Sequence, residues 1–110
     1  MANHDGANEV FLALADPTRR EVIRSLGSGP ASVGELAQPF AITLPSFMKH
    51  IRTLEDSGLI RTSKSGRVRT CTLNHDRLAI VGDWLKEQRR VWDQRTDRLE
   101  ALVNDQEETR

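Results

Sequence analysis

Ser46, Lys49, His50, Arg52 and Thr53 lie within eight residues of one another, and each carries a donor or acceptor suited to nucleic acid. Lysine can donate to guanine or phosphate, serine and threonine hydroxyls donate or accept, and arginine grips phosphate. Further along, Lys64, Arg67 and Arg69 form a second basic group. The chain of 110 residues is neutral as a whole, with 16 Lys and Arg against 16 Asp and Glu. From Leu44 to Thr70, however, six basic residues face two acidic ones, net +4. From Asp83 to Arg110 eight acidic residues face six basic ones, net −2. A neutral total therefore hides a basic patch, the footprint a polyanion would meet. Charge alone fits a solvated surface equally well, so the elements that carry these residues must decide.

Leu44, Phe47, Ile51 and Leu54 recur at helical spacing and predict one buried stripe, with Ser46, Lys49 and Thr53 on the far side. Thr43 can cap the first amides, Pro45 falls in the first turn, and Gly58 can stop the helix in a left-handed conformation. A sharply bounded helix over 43–57 with a small, polar, basic outer face reads as a recognition helix. Pro45 or Met48 could touch thymine methyls.

The remaining elements fall into place around it. Val10, Phe11, Leu12, Leu14 and Ala15 predict a short apolar helix from Glu9, with a wider apolar arc than one core contact needs. Asp16-Pro17 is a helix start, and Val22, Ile23 and Leu26 give that second helix its buried face up to Gly27. Arg19, Arg20 and Arg24 lie on its other sides, to reach phosphate or to pair with Glu21 and neighbours; the second reading is preferred. Gly27-Ser28-Gly29-Pro30 is a turn, and Ser32-Val33-Gly34-Glu35 has the capping-box pattern. A short third helix follows, ended by Gln38-Pro39. Two short helices and a tight turn make a helix-turn-helix. After Gly58, the runs Leu59–Lys64 and Arg67–Leu73 predict a hairpin turning at Ser65-Gly66, with Lys64, Arg67 and Arg69 at its tip. Neither strand alternates cleanly, so its inward face stays open. Beside a recognition helix such a basic tip reads as a DNA-binding wing; alone it would read as charge placed to block edge aggregation. From Asn74 or Asp76 the chain turns helical again, with a break expected at Gly82 and no His read within the last helix. Its stripe of Leu78, Val81, Trp84, Leu85, Val91, Trp92, Leu99, Leu102 and Val103, interrupted by Gln88 and Arg95, exceeds what a domain of this size can cover. A second subunit is the expected cover, an intramolecular one being the alternative, with Val10, Phe11, Leu14, Trp84, Leu85, Val91, Trp92, Leu99 and Leu102 at the dimer interface.

The expected fold is mainly α with a small β-hairpin (α+β): one domain over 9–103, a disordered tail over 1–8 and a frayed end over 104–110. The single Cys71 excludes an internal disulfide, and no apolar run is long enough to cross a membrane, so a cytoplasmic location is expected. No Ser-His-Asp spacing, paired carboxylates or phosphate-binding glycine loop points to an enzyme, and no cofactor is expected.

Phe11–Arg20, Val33–Ala37, Lys49–Ile60 and Gly66–Arg69, taken together, resemble the ArsR family of winged helix-turn-helix transcriptional regulators. The resemblance spans about Phe11 to Val103. It implies a homodimer joined by the first and last helices, binding an imperfect palindrome in a promoter, usually as a repressor. Many members sense metals through cysteines near the third or recognition helix, or through Asp and His on the terminal helices. Here Glu35-Leu36-Ala37-Gln38-Pro39 has no Cys, Cys71 stands alone, and no metal site is assigned. Met48 stands where many members have Ser. The sequence identifies no effector. The expected partners are thus double-stranded operator DNA and a second copy of the chain; the alternative is a winged-helix module that docks on protein and no longer binds DNA.

Overall fold

Three helices begin at residues whose side chains satisfy orphan amides. Asp16 Oδ2 accepts from the Arg19 amide at 3.0 Å, and Thr43 Oγ1 accepts from the Ser46 amide at 3.3 Å. At Ser32 the capping box is reciprocal: the Glu35 amide donates to Ser32 Oγ at 3.1 Å, and the Ser32 amide donates to Glu35 Oε1 at 2.9 Å. The Ser32 amide, and after it the Ser32 hydroxyl, hold the Glu35 carboxyl below its ordinary pKa.

The computed structural model describes the backbone of residues 6–108 and the side chains of residues 6–105. In order the elements are α1 (Ala7–Ala13), α2 (Pro17–Leu26), β1 (Ala31–Ser32), α3 (Val33–Ala37), α4 (Leu44–Asp56), β2 (Ile60–Ser65), β3 (Val68–Leu73) and α5 (His75–Glu108). They fall into two compact units, one ending at Ile80 and the other beginning at Val81. No described helix is long and apolar enough to cross a membrane.

In the first unit, Val10 and Ala13 of α1, Val22, Ile23 and Leu26 of α2, and Phe47, Ile51 and Leu54 of α4 close on one another as a core. Each large aliphatic or aromatic side chain so enclosed contributes roughly 1.5–3 kcal/mol of transfer free energy. Val10, expected at a dimer surface, is fully buried inside the subunit, because the inner side of α1 packs on α4. Leu44 departs from the expected stripe: it is 57% exposed, since the first turn of α4 runs past the edge of the core.

The recognition helix ends as Gly58 implied. Gly58 sits at φ 82, its amide donates to the Glu55 carbonyl at 3.0 Å, and the Leu59 amide donates to the Leu54 carbonyl at 3.1 Å. This is a Schellman motif, with Leu54 and Leu59 both fully buried. Arg77 Nε and Asn74 Nδ2 bond the next two carbonyls, of Ser57 at 2.8 Å and of Gly58 at 3.0 Å.

The sheet has three antiparallel strands in the order β1-β3-β2, not the two of a lone hairpin. Ala31 pairs with Cys71 and Ser32 with Thr70, so the residues entering α3 are fastened to the wing. The hairpin turns at Gly66-Arg67, one residue later than expected, with Ser65 opposite Val68 and Gly66 at φ 62, as a type II′ turn requires.

α5 continues through Gly82 and through Asn104–Glu108, where a break and fraying were expected. A lone glycine costs a helix only about 1 kcal/mol, and no proline stands in this run. The helix opens on His75, so the last helix does include a histidine. At the other end α1 takes in Ala7 and Asn8 of the expected tail; residues 1–5 and 109–110 lie outside the described residues.

Candidate nucleic-acid interface

The exposed residues of α4 are Leu44, Pro45, Ser46, Lys49, Arg52, Thr53, Glu55 and Asp56. With Phe47, Ile51 and Leu54 turned inward, a period of 3.6 residues leaves Lys49 and Arg52 facing outward. Neither takes part in a salt bridge among the described residues. Ser46 and Thr53 are also exposed, but their hydroxyls have work within the helix. Thr43 Oγ1 donates to Ser46 Oγ at 3.0 Å, and Thr53 Oγ1 donates to the Lys49 carbonyl at 3.0 Å.

His50 differs from its neighbours. It is half-buried, with Nδ1 3.0 Å from Arg19 Nη1 and 3.8 Å from Asp16 Oδ2. A guanidinium can only donate, so in this contact a neutral His50 ring accepts at Nδ1 and carries its proton on Nε2. The same guanidinium donates to the carbonyls of Ala13 at 2.7 Å and Leu12 at 3.1 Å, while Arg20 donates to Leu14 at 2.8 Å. Arg19 thus bonds the last carbonyls of α1 and, through His50, fastens that end to α4. Desolvation works against the Asp16 carboxylate, yet the Arg19 amide, His50, the Arg19 charge and the Thr18 amide together lower its pKa. Arg24 pairs with Glu21 at 3.4 Å, in the open. Of the three arginines only Arg24 forms the expected pair with Glu21; Arg19 and Arg20 bond the carbonyls ending α1 instead.

In the wing, Ile60, Thr62 and Lys64 of β2 pair across with Leu73, Cys71 and Arg69 of β3. This face grades from apolar at the core, through a hydroxyl and a thiol, to two cations near the tip. Lys64 and Arg67 are exposed. Arg69 is half-buried and donates from Nη1 to Thr62 Oγ1 at 3.0 Å, while Thr62 donates to Glu55 Oε2 at 2.6 Å. A chain of hydrogen bonds thus runs from the last turn of α4 to the wing. Cys71 is fully enclosed beside it; burial pushes its thiol pKa up, Glu55 adds to this, and Arg69 opposes it.

Sequence reasoning found the exposed cations but missed Arg19, Thr62, Glu55 and Arg77 as organisers of the site. The signal was present for one of them, Arg19: α1 has no terminal glycine to close its carbonyls, and arginines follow it. Among the described residues, no three of His, Cys, Asp and Glu come together as ligands for a metal ion.

A helix-turn-helix domain family matches residues 14–63, which is α2 through most of β2. The transcriptional repressor SdpR of Bacillus subtilis is 32% identical over 71% of this chain and 87% of its own. An arsenical resistance operon repressor of Staphylococcus xylosus is 30% identical over 66% of this chain and 69% of its own. Among solved structures, an ArsR family transcriptional regulator superposes with a TM-score of 0.77 at 57% identity, covering 80% of this chain and 91% of that one. A shared order of elements and this identity across nearly the whole of that regulator place the chain in the ArsR family of winged helix-turn-helix transcriptional regulators.

Proposed function

We propose that the chain acts as a homodimeric, sequence-specific repressor that binds an imperfect palindrome in a promoter, in the cytoplasm. The observation that carries this reading is the outer face of α4, where Lys49 and Arg52 stand exposed with Ser46 and Thr53 beside the basic wing. Two copies of α4 would enter successive major grooves, about 34–36 Å apart. Lys49, Ser46 and Thr53 would meet base edges and Arg52 a phosphate. His50, occupied at Nδ1, has Nε2–H for a contact of its own. Lys64, Arg67 and Arg69 would hold the backbone or the minor groove.

The dimer reading rests on the second unit. Val81, Leu85, Gln88, Trp92, Arg95, Leu99 and Leu102 follow alternating steps of four and three, the seam of a coiled coil. Leu85, Trp92, Leu99 and Leu102 are each 55–65% exposed in the single chain. Phe11 and Leu14 are half-buried in the first unit. They complete the proposed interface with Trp84 and Val91; Val10 has no surface to add.

Fluorescence anisotropy over a salt series, with duplexes tiled from the DNA upstream of the gene, tests the reading. One tile should bind at two subunits per duplex, with a slope of log affinity on log salt of about −5 to −7. Lys49→Ala should weaken it. A slope near zero, or equal weak binding to all tiles, overturns the reading in favour of a protein-docking winged helix.

A further inference from the structure

Between the first turns of α4, the start of α3 and the wing lies a groove of about 420 Å³. That volume is in the range of small-molecule sites, roughly 300–1,000 Å³. Its apolar part is built from Leu44, Met48 and Val68. Leu44 is 57% and Val68 52% exposed, so both hold apolar surface open to water beside the most basic part of the chain. Lys64, Arg67 and Arg69 line the same groove, and no acidic residue does. Phosphates would use the three cations but gain nothing from the apolar surface between them.

We infer that this groove binds an amphipathic organic anion, of the class of medium-chain carboxylates. The alkyl tail would lie along Leu44, Met48 and Val68, and the carboxylate would be held by Lys64, Arg67 and Arg69. Arg69 is already oriented for this: its bond to Thr62 uses one of five N–H donors. Where the inference touches regulation it rests on the DNA-binding reading above. The wing cations proposed to hold operator phosphate are those that would hold the carboxylate, so ligand and DNA would exclude each other.

Met1 and Met48 are the only methionines, so methyl-labelled methionine gives a spectrum of two signals, one of them inside the groove. The probe is decanoate, titrated below its micelle concentration, with decanol as the uncharged control. The Met48 signal should shift saturably with decanoate. The shift should need roughly tenfold more ligand with decanol, or with a Lys64→Gln/Arg67→Gln variant whose melting is unchanged. Decanoate should release a labelled operator duplex over the range in which Met48 shifts. A Met48 signal that decanoate leaves in place overturns the proposal, and so does an equal response to decanol. A Met48 signal that moves with operator DNA but not decanoate assigns the groove to DNA and likewise overturns it. If no duplex binds in the absence of decanoate while Met48 still titrates, the ligand site stands and the DNA reading falls.

Discussion

Lys49 and His50 are adjacent in sequence and have opposite surroundings. Lys49 is exposed and carries no ion pair among the described residues, whereas His50 accepts from Arg19 and sits 3.8 Å from Asp16. Their substitutions should separate. Lys49→Ala should leave the denaturant midpoint unchanged and weaken operator binding by roughly 1–3 kcal/mol in anisotropy. His50→Ala leaves an Arg19 N–H without its acceptor and should lower stability by roughly 1–2 kcal/mol in urea. His50→Gln, whose amide oxygen can accept, should recover part of it. Asp16 gives a pH signature. Its folded-state pKa is lowered, so its stabilisation is complete above the ordinary carboxylate value and lost as pH falls through the folded one. Asp16→Ala should therefore cost about 1 kcal/mol at pH 7, with the gap from wild type shrinking in acid, as melts across pH 7 to 3 would register.

At the scale of elements, the wing is steered from α4. The chain Glu55–Thr62–Arg69 links the two through 2.6 and 3.0 Å bonds. Thr62→Val should weaken DNA binding without changing the helical signal, and Thr62→Ser should restore it. Lys64→Ala/Arg67→Ala should instead reduce the salt slope by about 2 per subunit, one for each lost phosphate contact. The helix ends were legible in the sequence because each is a local rule: Asp16-Pro17, Ser32 with Glu35, and Gly58 act within a turn of themselves. The wing's inward face was not, because Thr62 and Lys64 occupy core-side positions whose partners, Cys71 and Arg69, are set only by register. A strand of two residues, Ala31–Ser32, has no period to read. Leu44 was misplaced because periodicity gives the direction of a side chain and not where the core stops. The exposed cations of the candidate site could be read from charge and phase, whereas the bonds holding Arg69 and His50 are contacts between distant residues.

For the whole molecule, the α5 seam predicts an assembly. Trp92→Glu or Leu99→Glu should convert the protein to monomer in analytical ultracentrifugation, with operator affinity falling together with the stoichiometry. Gln88 and Arg95 lie in the same seam, where polar groups fix register at some loss of stability. Changing both to Leu should raise the melting temperature and broaden the range of oligomers. The sheet holds a further consequence, for labelling chemistry. The chain has one thiol, fully enclosed at Cys71, and its surroundings disfavour the thiolate that maleimides and haloacetamides attack. Folded wild-type protein should leave such a reaction unmodified by intact mass. A cysteine placed at exposed Ser65 would then carry all the dye, making the wing directly visible to single-molecule fluorescence without removing any native residue from the core.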